Sequence, residues 1–162
     1  MNILFVCTGN TCRSSMAEGI FKHLINNNNI KNINISSAGI SAFEGDAANE
    51  KAIYTLNKKG IDIKNHKAKM LTKKIINESD LILTMTRSHK RMILNDKVYT
   101  LKEFAYIINN EEIDRNNLDI ADPYGLDSNF YEKTAEEIEE QLQKIIKNID
   151  AITNATWRIE WK

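Results

Sequence analysis

The opening segment constrains the fold more than any other part of the chain. Ile3-Leu4-Phe5-Val6 is a continuous apolar run, as expected for a strand covered on both faces. It passes into Cys7-Thr8-Gly9-Asn10-Thr11-Cys12-Arg13-Ser14, a turn-rich loop, and then into Met16, Ile20, Phe21, Leu24 and Ile25, which recur at helical spacing. Ser14 or Ser15 is placed to cap that helix, and Glu18 to complete a capping box from Ser15. The rest of the chain keeps the alternation. Strands are expected at Ile33–Gly39, Asp80–Met85 and Lys97–Thr100; helices at Ala47–Lys59 (stopped by Gly60), Leu71–Ser79, Arg87–Leu94 and Phe130–Ile152. Strands alternating with helices imply an α/β domain, a parallel sheet with helices on both faces. Residues 106–121 form the longest polar stretch without a period and read as a surface loop.

The first loop carries the chemistry. A strand, a glycine-containing turn and a helix start together make an anion site, with backbone N–H groups and the positive helix end facing the ligand. Arg13 adds a fork of donors suited to phosphate oxygens, and Gly9 lets the backbone turn and approach closely. Cys7 lies at the end of the strand, where the same positive field favours the thiolate. A thiolate beneath a cradled phosphoryl group is arranged for in-line attack, giving a phosphocysteine. Cys-x5-Arg is common by chance; the preceding strand, Gly9, and the following serine and helix make it specific. The leaving group then needs a proton. Asp122 precedes Pro123, the only proline of the chain, and is the candidate general acid and later base.

Composition excludes several other classes. A chain of 162 residues is the size of one domain, and its formal net charge of zero argues against a general nucleic-acid binder. No apolar run is long enough to span a membrane, and MNILFVCTGN does not read as a signal peptide. Residues 1–97 hold 15 Lys and Arg against 8 Asp and Glu, whereas residues 98–162 hold 7 against 14. The basic side, with Lys64, Lys67, Lys69, Lys73 and Lys74, reads as a solvated face, with a rim attracting anionic substrates as the alternative. Two cysteines in one short segment suit the cytoplasm better than a disulfide scaffold. They also fall short of a zinc pattern, so no metal is expected. No Gly-Lys-Ser/Thr occurs, which excludes a Walker-type loop.

CTGNTCRS, with DPY ahead of a C-terminal helix, resembles the low-molecular-weight protein tyrosine phosphatase family. The likeness extends through SSAG (36–39), NHKAK (65–69) and SDLILTM (79–85), over about residues 1–152. The resemblance implies a single-domain three-layer sandwich with a four-stranded parallel sheet, no metal or other cofactor, and phosphorylated proteins as partners. A monomer is favoured. By motif, Cys7 is nucleophile, Arg13 binds phosphate and Asp122 is general acid. Thr8, Gly9, Asn10, Thr11, Cys12, Ser14 and Tyr124 are the substrate contacts implied. Ser14 would hydrogen-bond the Cys7 thiolate, while Asn10, Ser37 and His66 resemble the polar network that holds the loop.

Within the family, CTGNTCRS with SHK (88–90) and KVYTLKE (97–103) resembles the bacterial protein arginine phosphatases, which carry threonine at the position of Thr11. Threonine is smaller than the isoleucine of tyrosine phosphatases and adds a hydroxyl, which suits a guanidinium better than an aromatic ring. Two positions depart from the pattern: Ser15 replaces a proline, and the acid loop reads Asp122-Pro123-Tyr124-Gly125-Leu126, with the tyrosine seen in many tyrosine phosphatases. Cys12 has two open readings, a trap for oxidised Cys7 or an apolar filler. Arsenate reductases of the same fold need cysteines beyond the loop, and none follows Cys12. A non-catalytic phosphate-binding module would lack the nucleophile or the acid. Trp157, Ile159 and Trp161 form a tail (153–162) expected to pack on the domain.

Overall fold

The structure, a computed structural model, describes residues 1–154; the tryptophan tail lies outside the described residues. The elements run β1 (Asn2–Cys7), α1 (Arg13–Asn27), β2 (Asn34–Gly39), α2 (Glu50–Asn57), α3 (Lys73–Glu78) and β3 (Leu81–Thr84). They continue with α4 (Arg87–Arg91), β4 (Val98–Thr100), α5 (Leu101–Ile108), α6 (Ser128–Ile146) and α7 (Ile149–Thr153). Four parallel strands lie in the order β2-β1-β3-β4. The chain leaves β1 toward one edge and returns on its other side, so the end of β1 is a topological switch point. In such sheets the crevice beyond the strands' carboxyl ends is the natural ligand site.

Alternation along β1 builds two cores. Ile3 and Phe5 join Leu81 and Leu83 on one face, under α1, α5, α6 and α7, with Phe5 meeting Phe21 edge-on at 5.8 Å. Leu4 and Val6 join Ile82 and Val98 on the other, covered by Leu71, Ile75 and Ile76 around α3. Ile3 to Val6 of β1 and Leu81 to Leu83 of β3 are therefore apolar on both faces, as the sequence required of them, whereas β2 carries Ser36 and Ser37. Among the described residues, no helix is long and apolar enough to cross a membrane.

Several boundaries differ from expectation. α1 begins at Arg13, with Cys12 at the N-cap position and no capping side chain, so the Ser15–Glu18 box does not form. Ser15 Oγ instead donates to the Cys12 carbonyl at 2.9 Å, and Glu18 is drawn to Ser37. Leaving the first turn uncapped by side chains keeps its N–H groups available to an anion. α5 extends into the stretch read as loop. Thr100 and Glu103 form a capping box, and Phe104, Ala105, Ile107 and Ile108 are buried. The long C-terminal helix is two: Asn148 leaves the helical region (φ −120°, ψ 28°) and its amide donates to Asn109 at 2.7 Å, tying the break to the end of α5. α2 is shorter than expected because Asn49 caps it, accepting from the Lys51 N–H, while Gly60 follows it at φ +74°.

Candidate active site

The loop between β1 and α1 closes around Cys7, whose side chain is buried at the strand's end. Its carbonyls are turned outward and held by neighbouring segments: Ile40 N–H donates to Cys7 O, Ser41 N–H to Thr8 O and Asn49 N–H to Thr11 O, at 2.8–3.0 Å. The left-handed residue that allows this turn is Asn10 (φ 58°), not Gly9. Asparagine tolerates that region, and here its side chain is locked in place. The close approach belongs to Gly39. A Cβ there would sit 2.5 Å from Thr8 O and 2.9 Å from Asn10 N.

Donor logic fixes the polarity of the network behind the loop. The Asn10 amide nitrogen donates to Ser14 Oγ and Ser37 Oγ, both at 2.8 Å, while its oxygen accepts from Lys69 N–H. Each hydroxyl accepts there, which leaves its own proton for another partner. Ser37 donates to the Glu18 carboxylate, and Ser14 faces Cys7 Sγ at 2.9 Å. The Asn10 N–H also reaches Sγ, at 3.3 Å. Asn10 O can only accept, so His66, at 2.7 Å, carries its proton on Nε2. Asn10 and Ser14 thus lie behind the loop, their side chains turned away from the cleft.

In front of the loop, Cys7 and Arg13 share a cleft of about 380 Å³ with Thr8, Gly9, Thr11 and Cys12. Ser41, Phe43, Tyr124, Asp46 and Asp122 complete its lining. Arg13 is buried and bridges to the acid loop, donating to Ile120 O at 3.1 Å and meeting Asp122 Oδ2 at 3.2 Å. The acid loop is fixed by Ile120 N–H on Met85 O (2.8 Å) and by Arg87, whose backbone and guanidinium both engage Asp119. None of the five lysines of the basic stretch lines this cleft; Lys67 and Lys69 face a separate one behind the loop, with Glu18 and His66. Cys7 and Cys12 are both unbridged. Burial pushes the Cys12 thiol up, against a 3.3 Å hydrogen bond with the Tyr131 hydroxyl, so Cys12 is a poor nucleophile.

His89 is a site neighbour that sequence reasoning did not assign. Its ring joins Thr8 Oγ1 (2.9 Å) on the loop to Thr86 Oγ1 (2.9 Å) at the start of α4. Burial first, then the Arg13 charge, lowers its pKa from 6.5 to about 4, against Asp122 and Asp119. Between those values the unfolded chain binds a proton that the folded one does not. Stability is therefore fully present above about pH 6.5 and falls as pH drops toward 4, by about 2–3 kcal/mol from this group. His89→Gln should flatten that decline, read as denaturant midpoints across the window. An unchanged slope would show that His89 protonates normally in the folded protein.

Residues 2–154 match the family model "Low molecular weight phosphotyrosine protein phosphatase". A protein-arginine-phosphatase of Bacillus subtilis is 37% identical over 92% of this chain and 97% of its own. The low molecular weight protein-tyrosine-phosphatase PtpB of Staphylococcus epidermidis is 33% identical over 90% and 96%. Among solved structures, the low molecular weight protein tyrosine phosphatase from T. tengcongensis superposes with a TM-score of 0.80 at 42% identity, covering 91% of this chain and 98% of that one. A variant of the YwlE arginine phosphatase with a phosphorylated active-site serine gives 0.82 at 36%, covering 93% and 96%. With its sheet order, loop and sequence all in agreement over nearly the whole described length, the chain belongs to the low molecular weight phosphotyrosine protein phosphatase family.

Proposed function

We propose that the chain is a cysteine-dependent protein phosphatase acting on phosphoarginine in proteins. The observation that carries the catalytic part is Cys7 Sγ at the loop's floor, facing the Ser14 hydroxyl and the Asn10 N–H, with Arg13 reaching from the same loop to Asp122. Both contacts hold the sulfur at the floor of the loop. The phosphoryl group docks among the loop's N–H groups and the Arg13 guanidinium. Cys7 attacks phosphorus, an S–P bond forms, and the P–N bond of the substrate breaks. The Asp122 carboxyl gives its proton to the departing nitrogen, which returns as the neutral arm of a guanidinium. Asp122, now a carboxylate, takes a proton from water as that water attacks phosphorus. Phosphate leaves and the thiolate is restored.

The substrate class rests on Thr11, which lines the cleft where the tyrosine phosphatases commonly carry isoleucine, and on the likeness to protein-arginine-phosphatases. Tyrosine phosphatase activity is the second reading, favoured by the exposed ring of Tyr124 on the wall. The test compares turnover of phosphoarginine and phosphotyrosine in peptides of one sequence. Wild-type protein should prefer phosphoarginine, and Thr11→Ile should reduce that preference by at least about tenfold, a discrimination within reach of one side chain in a pocket. Equal preference in the two proteins would remove Thr11 from the argument.

A further inference from the structure

We propose that Asp46 is a specificity-determining residue, a second carboxylate in the cleft that binds the guanidinium of a phosphorylated arginine. The inference rests on the phosphoarginine reading above and deepens it. A carboxylate near a phosphate cradle opposes the dianion the cradle holds, so Asp46 is out of place unless the substrate also brings positive charge. Phosphotyrosine brings none. A phosphorylated arginine brings a guanidinium immediately next to its phosphoryl group.

The two carboxylates of the cleft are differently committed. Asp122 is engaged by Arg13 at 3.2 Å. The Asp46 carboxylate has no hydrogen-bond or ion-pair partner among the described residues, although it lines the same cleft. Its backbone is held. Asp46 N–H donates to Phe43 O at 3.2 Å, and Asp46 O accepts from Ala68 N–H at 2.8 Å. The adjacent Gly45, at φ +85°, donates to Ala68 O at 2.9 Å. A tight, anchored turn therefore presents Phe43 and Asp46 together.

Phe43 and Tyr124 supply the remaining part. Both residues line the cleft and are 78% and 71% exposed, large aromatic side chains with little protein against them. A guanidinium is planar, weakly hydrated, stacks on aromatic faces and pairs with a carboxylate through two N–H groups. Aromatic side chains and an uncommitted carboxylate in the same cleft form a receptor for that group beside the loop that receives the phosphoryl.

The test is Asp46→Asn, which keeps the shape and removes the charge. Values of kcat and KM are measured on phosphoarginine and phosphotyrosine peptides of the same flanking sequence. For phosphoarginine, KM should rise about fivefold with kcat little changed, the signature of lost ground-state binding to a partly exposed partner. For phosphotyrosine, kcat/KM should stay level or rise, because a repulsive charge has gone. An unchanged KM for phosphoarginine, or an equal loss on both substrates, would overturn the assignment. Failure of the substrate reading is visible separately, as a wild-type preference for phosphotyrosine before any substitution is made.

Discussion

Replacing Cys7 by serine is expected to reduce turnover of any phosphomonoester by at least about 10⁴-fold while leaving the fold intact. Oxygen and sulfur differ little in volume at this buried position, and the network behind the loop is centred on Asn10, not on the sulfur. The thermal midpoint and inorganic phosphate binding should therefore change little, even as para-nitrophenyl phosphate hydrolysis disappears. Cys12 offers no substitute nucleophile, since burial holds its thiol protonated against Tyr131. Residual turnover within tenfold of wild type would place the nucleophile elsewhere and reduce the loop to a binding site.

The second large effect is expected for Asp122→Asn. Loss of a general acid costs about 10²–10⁴-fold, and the loss should scale with how badly the leaving group needs a proton. A departing guanidinium nitrogen or alkyl oxygen needs one; para-nitrophenolate leaves almost unaided. Turnover of phosphoarginine peptides should thus fall by far more than turnover of para-nitrophenyl phosphate. Stability should shift by less than about 1 kcal/mol, because the Arg13 ion pair is half exposed on the Asp122 side. Equal losses on both substrates would mean that Asp122 orders Arg13 and transfers no proton.

What could be read from the sequence was whatever local pattern determines locally. Ile3 to Val6 had to be a doubly covered strand, and the eight residues after them read as an anion loop, so the sheet and the place of the proposed nucleophile were legible. Ser14, Asn10, Ser37 and His66 were placed by resemblance, and the structure brings all four to one hydrogen-bonded cluster with Cys7. Other features depended on partners far along the chain. Glu18 looked like a capping residue because the sequence does not show Ser37 arriving beside it. His89 joins Thr8 across 81 positions, and only the β1–β3 pairing brings them together. Asp46 lies more than thirty positions from the loop and comes to its cleft only through the fold. The helix at Leu101–Ile108 was different, since its Thr100–Glu103 box was visible in the sequence but obscured by the polar stretch behind it.

The two halves of the proposed catalytic pair are mounted very differently. Cys7 ends a strand hydrogen-bonded on both sides within the sheet, whereas Asp122 rides on the irregular stretch between α5 and α6, moored chiefly through Met85, Arg87 and Arg13. Segments of the second kind open well below the global unfolding free energy. Warming would then detach the acid while the cradle stays shaped around its phosphate. Such a protein would fall dormant before it melts, still occupied by ligand, and would regain its activity on cooling without having to refold.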